Sequence, residues 1–105
     1  MTDAVLVLTT LPNSDAAAEI ARKLVAEKLA ACANLLPAVR SIYRWQGKVE
    51  DENEVLVLLK TQQRHYERLK ARILELHPYE VPEVITIPVE RGHQAYLEWI
   101  VRETT

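Results

Sequence analysis

Apolar and polar positions change their period at a few sharp points along this chain, and those points delimit its elements. Ala4 to Leu8 is apolar without alternation, which predicts a strand shielded on both faces. Pro12, Asn13 and Ser14 break it and supply a helix N-cap. Ala17, Ile20, Ala21, Leu24, Val25 and Leu29 then recur at helical spacing, with Glu19, Arg22, Lys23, Glu27 and Lys28 on the other side, predicting a helix over 14–30. After Ala31 the period drops to two. Val39, Ser41, Tyr43 and Trp45 alternate with Arg40, Ile42, Arg44 and Gln46, as a strand requires. Pro37 has no N–H to donate and predicts a bulge or an edge position. Gln46-Gly47-Lys48 reads as a hairpin turn, and the returning strand runs from a polar start at Glu50–Glu54 into apolar Val55–Leu59. Thr61 or a neighbour is placed to cap a second helix over 63–76, marked by Tyr66, Leu69, Ile73 and Leu76 and stopped by His77-Pro78. A short strand, Val84 to Ile87, and a last helix bearing Tyr96, Trp99 and Ile100 complete the chain.

The order β-α-β-β-α-β plus a helix predicts an α+β fold. It is the ferredoxin-like split arrangement, an antiparallel sheet with helices on one face. The central hairpin is too long for it. Strands over 33–46 and 48–61 would each reach ~45 Å at ~3.3 Å per residue, whereas a chain of this size has a radius of gyration of ~13 Å. The hairpin must project beyond its own sheet, carrying Tyr43, Trp45 and Val49 among charges. Unpaired strand edges are templates for another chain, and closed cyclic assembly is the expected result. The alternative is a solvated tip with two stray aromatics.

Composition narrows the partners. The 105 residues make one domain, 1–105, with a core small enough to profit from an oligomeric interface. Fifteen acids against 13 bases leave no electrostatic footprint for nucleic acid. No apolar run approaches the ~20 residues that cross a bilayer, and the acidic start Met1-Thr2-Asp3 is unlike a signal peptide, so the expected compartment is the cytoplasm. Two glycines cannot build a phosphate-cradling Gly-rich loop, and one cysteine excludes a disulfide or a multi-cysteine metal cage within one chain.

Candidate chemistry is sparse. Cys32, in Leu29-Ala30-Ala31-Cys32-Ala33-Asn34, is either a small buried hydrophobe or a soft metal ligand or redox-sensitive thiol. His65 and His93 read as exposed residues at helix starts. His77 opens His77-Pro78-Tyr79-Glu80-Val81-Pro82-Glu83, a stretch stiffened by two prolines and carrying an imidazole, a phenol and two carboxylates. Such a loop is a binding-site candidate; otherwise it is a stiff connection in which His77 caps helix carbonyls. Lys60 ends an apolar strand and needs a partner, for which Glu83 is available. Tyr43, Trp45 and Trp99 read as core or interface anchors. No catalytic triad or nucleotide loop appears, so an enzyme is not the expected reading; a Cys32–His77 nucleophile–base pair is its only candidate.

Taken in order, Leu29–Asn34, Pro37, Ser41-Ile42-Tyr43-Arg44-Trp45-Gln46-Gly47, Glu54, Lys60-Thr61, His77–Glu83, Pro88 and Tyr96-Leu97-Glu98-Trp99 resemble the CutA family of divalent-cation tolerance proteins over nearly the whole chain. The resemblance implies a tight homotrimer whose long hairpins pair between subunits, and a cytoplasmic role in tolerance of copper and other divalent cations. It also implies an architecture similar to PII signalling trimers, which bind small effectors at subunit interfaces. In family members to which copper ligation is assigned, the resemblance places a cysteine and a His-His pair where this chain has Thr9, Leu76 and His77, so only His77 is kept. Trimer symmetry offers Cys32 and Glu80 as further ligands. Two functions follow: a trimer holding Cu²⁺ or a similar ion near Cys32 and His77, or a PII-like module whose clefts take a small effector or partner at Tyr79–Glu83.

Overall fold

The computed structural model describes residues 2–105; Met1, at the head of the acidic amino-terminal triplet, lies outside them. Strand β1 (Ala4–Leu11) leads into helix α1 (Ser14–Ala26), capped by Asn13, whose side-chain oxygen accepts from the Ala16 N–H at 2.8 Å. Strands β2 (Cys32–Trp45) and β3 (Lys48–Gln62) form the hairpin. A 3₁₀ turn (Gln63–His65) precedes α2 (Tyr66–Leu76), and β4 (Ile85–Pro88) and α3 (Gln94–Glu103) follow. The sheet order is β2-β3-β1-β4, antiparallel throughout, which is the predicted ferredoxin-like topology.

Several boundaries differ from the reading of the sequence. Helix α1 stops at Ala26, because Lys28 turns left-handed (φ 62°) and the Leu29 N–H returns to the Leu24 carbonyl at 3.0 Å. Leu29 and Ala30 stay buried beyond the helix end, which is why the apolar period overshoots it. Thr61 caps nothing. It belongs to β3, and its hydroxyl donates to the Leu29 carbonyl at 2.8 Å. The first turn of the predicted second helix is 3₁₀, and β4 is shifted by one residue, with Pro88 opposite Val5. Pro37 does mark a break: the β2–β3 register shifts between Leu36 and Val39, with Ala38 at φ 60°.

Alternation in the sheet divides its two faces. Val5, Val7 and Leu11 with Val55, Val57 and Leu59 are buried against Ala17, Ile20 and Leu24 of α1 and Leu69 and Ile73 of α2. The opposite face carries Leu6, Leu8, Leu56 and Leu58, half-buried, with Leu36, Ile85 and Ile87 exposed. Helix α3 covers only the end of that second face, where Lys60 and Gln62 project toward Tyr96 and Thr104. The helices are therefore not confined to one face. Residues 48–54 of β3 pair with β2 alone, so about seven residues, or roughly 23 Å, overhang the sheet. This overhang stretches the molecule to 44 × 25 × 23 Å.

Candidate functional site

The loop after α2 meets the root of the overhanging hairpin and forms a cleft of about 700 Å³. Tyr43 and Trp45 of β2, Glu54 of β3, and Tyr79, Glu80 and Glu83 of the loop line it. Register explains the grouping. Val39, Ser41, Tyr43 and Trp45 lie opposite Glu54, Glu52, Glu50 and Lys48, so the aromatics and acids of the two arms share one face.

Glu54 organises the cleft. Its carboxylate is only 8% exposed and accepts the Tyr79 hydroxyl at 2.7 Å. Burial and then the hydrogen bond to Glu54 push the Tyr79 phenol far above its ordinary range, so it stays a donor. Burial also raises the Tyr43 phenol, helped by Glu52, Glu54 and Glu50. Sequence reasoning did not single out Glu54 as a site residue. A carboxylate beginning an apolar strand was the available signal, since a buried acid needs a partner.

His77 is 9% exposed and fixed at both ring nitrogens. Its Nε2 lies 2.9 Å from the Thr10 carbonyl, and its Nδ1 accepts the Tyr79 N–H at 3.1 Å. A carbonyl can only accept, so Nε2 carries the proton and the ring is neutral. Burial lowers its pKa below the ordinary 6.5, outweighing the Thr10 carbonyl and Glu54. The Nδ1 lone pair is thus occupied in holding Tyr79 over Glu54, with the two rings 4.8 Å apart.

The remaining candidates lie elsewhere. Cys32 is half-buried and pairs with Lys60, which pairs with Leu6, four residues along β1 from the Thr10 that holds His77. That offset alone is about 13 Å, which separates the thiol from the imidazole within one chain and removes the nucleophile–base pair. Lys60 does not meet Glu83. Its ammonium donates to the Tyr96 hydroxyl at 3.2 Å, and Tyr96 stacks on Trp99 at 5.5 Å between centroids. His93 is exposed at the start of α3, as expected, but His65 is buried. Thr9 is fully buried and Leu76 packs against the core. Among the described residues no group of three or more His, Cys, Asp or Glu side chains is placed to hold a metal ion, and no helix is long and apolar enough to cross a membrane.

These features define a ferredoxin-like α+β protein with a projecting hairpin and an acidic, aromatic cleft at the hairpin's root. Residues 5–103 match the family model described as CutA1 divalent ion tolerance protein, and this chain belongs to that family. A divalent-cation tolerance protein CutA from Thermus thermophilus is 47% identical over 100 residues, covering 95% of this chain and 96% of that one. The human Protein CutA is 50% identical over 91% of this chain, which spans only 53% of that relative's length. Among solved structures, CutA from Xylella fastidiosa superposes with a TM-score of 0.96 at 42% identity, covering 99% of this chain and 100% of that one. A CutA structure from Archaeoglobus fulgidus, described as periplasmic, reaches 0.94 at 31% identity, over 97% and 99% of the two chains.

Proposed function

We propose that this member of the divalent-cation tolerance family works as a homotrimeric, non-enzymatic binding protein whose cleft at Tyr43, Trp45, Glu54, Tyr79, Glu80 and Glu83 takes a small effector. The observation that carries this reading is the Tyr79–Glu54 hydrogen bond, with His77 spending both ring nitrogens to hold it. A rigid polar clamp beside two half-exposed aromatics is the ordinary chemistry of a small-molecule site. Self-association is supported by the uncovered apolar sheet face and by the overhang, which has strand edges free on both sides of the hairpin. The cytoplasmic setting belongs to the same reading and rests on the family resemblance.

A second reading, favoured by the family's description, is a copper or similar divalent-ion site. With Cys32 remote from His77 in one chain, such a site draws ligands from more than one subunit, and His77 must give up one of its hydrogen bonds to join it. One pair of experiments separates the two. In a copper titration, the effector reading expects His77→Ala to leave the binding isotherm unchanged; loss of a stoichiometric site overturns it in favour of metal. In a thermal-shift screen of metabolites, at least one compound should raise the Tm of wild type and fail to do so in Glu54→Gln. A screen without any such compound counts against the effector.

A further inference from the structure

The end of the sheet farthest from the hairpin carries a second depression, of about 350 Å³, with the opposite electrostatic character. Lys28 enters it from the turn after α1, Arg64 and His65 from the 3₁₀ turn, Arg68 from the first turn of α2, and Thr104 and Thr105 from the chain beyond α3. Glu27 is the one acid lining it, and Arg72 already holds that carboxylate through two N–H···O bonds of 2.9 Å. Among the described residues, Lys28, Arg64 and Arg68 form no ion pair. Three cations therefore share one depression whose one acidic side chain is already paired with Arg72. Two of them flank the start of α2, where the helix dipole is already positive.

His65 adds an independent observation. The residue is 7% exposed yet lines the depression. Arg64 Nε donates to Gln62 Oε1 at 3.2 Å, which fixes the orientation of the Gln62 amide. The amide nitrogen then faces Thr104 Oγ1 at 2.8 Å and His65 Nε2 at 3.5 Å. The same nitrogen also faces the Val101 carbonyl at 3.5 Å. Among the described residues His65 Nδ1 has no hydrogen-bond partner. The depression thus gathers an ammonium, two guanidinium groups and an imidazole, with Arg64 also donating to Thr105 Oγ1 at 3.4 Å, around space large enough for a tetrahedral oxyanion.

We propose that this depression binds a phosphate group, with Arg64 and Arg68 supplying charge-assisted hydrogen bonds and the unpartnered Nδ1 of the buried His65 facing the same space. The group is either free phosphate or the phosphate of a small organic monoester. It lies at the opposite end of the sheet from the acidic cleft, so it stands whether or not the effector reading of that cleft does.

The test is an NMR titration of the full-length protein with inorganic phosphate, with sodium chloride matched for ionic strength as the control and a nucleoside monophosphate as a second arm. Saturable shifts are expected at the amides of residues 62–68 and 104–105 and at the His65 ring. Arg68→Gln, at an exposed position, should weaken phosphate at least tenfold, and Arg64→Gln with Arg68→Gln should abolish saturation. A monophosphate binding tighter than phosphate identifies an organic ligand, and equal affinity identifies phosphate itself; either supports the site. Shifts that the chloride control reproduces, or an Arg68→Gln affinity equal to wild type, overturn it.

Discussion

Tyr79 and Glu54 are 25 positions apart in the chain, and their 2.7 Å hydrogen bond is the contact on which the cleft depends. Removing the phenol leaves a buried carboxylate without its donor. Tyr79→Phe should therefore cost about 1–3 kcal/mol in urea denaturation, whereas Glu54→Gln keeps a carbonyl acceptor and should cost about 1 kcal/mol or less. Equal losses for the two variants would mean that the bond is incidental to stability. His77 gives a pH signature. Its folded-state pKa lies below the ordinary 6.5, chiefly through burial, so the unfolded chain takes up the proton first as pH falls. Its contribution is complete above the unfolded value near 6.5 and is lost as pH drops through the lower folded value. Protonation at Nδ1 also ends acceptance of the Tyr79 N–H. Denaturation midpoints between pH 7 and 5 should decline more steeply for wild type than for His77→Gln; parallel slopes would remove His77 from this role.

At the scale of elements, the hairpin shows how local chemistry sets a long structure. Gln46 (φ 49°) and Gly47 (φ 80°) make a two-residue turn whose positive φ values suit the strand twist. A Cβ on Gly47 would meet nothing within 4 Å, so Gly47→Ala tests backbone conformation alone. It should cost about 1–2 kcal/mol, the penalty for an L-residue in the left-handed region; a neutral result would mean the turn relaxes. The Arg40–Asp51 pair, joined by bonds of 2.8 and 2.6 Å, is exposed and adds little to the arms. Most of this hairpin was legible in the sequence, because alternation, a turn glycine and Pro37 are signals local to the strand. The end of α1 was not. Leu29 and Ala30 are buried for tertiary reasons after the helix has closed, so an apolar residue at the right spacing reads as helix when it is not. His65 was misread in the same way: a polar residue at a helix start looks exposed until Gln62 and Thr104 are seen to enclose it.

For the whole molecule, the uncovered face sets the expectation. Leu6, Leu8, Leu56, Leu58, Ile85 and Ile87 form an apolar surface that the chain's own helices leave open. Light scattering should give a mass near three times the 12.0 kDa of the chain, and Leu8→Glu, which places a charge in the middle of that face, should reduce it to one. A wild-type mass of 12.0 kDa would refute the trimer. The sequence by itself determined the element order, the sheet class, the overhang and the stiff loop at His77–Glu83, since each rests on periodicity or on proline and glycine chemistry close at hand. Only the tertiary structure decided what the polar residues do. It joined Tyr79 to Glu54, turned both nitrogens of His77 inward, moved Lys60 to Tyr96, and separated Cys32 from His77 by the length of four strand residues. The reason is physical. A hydrogen bond acts over about 3 Å, and which polar groups come that close is settled by register and packing between segments far apart in sequence.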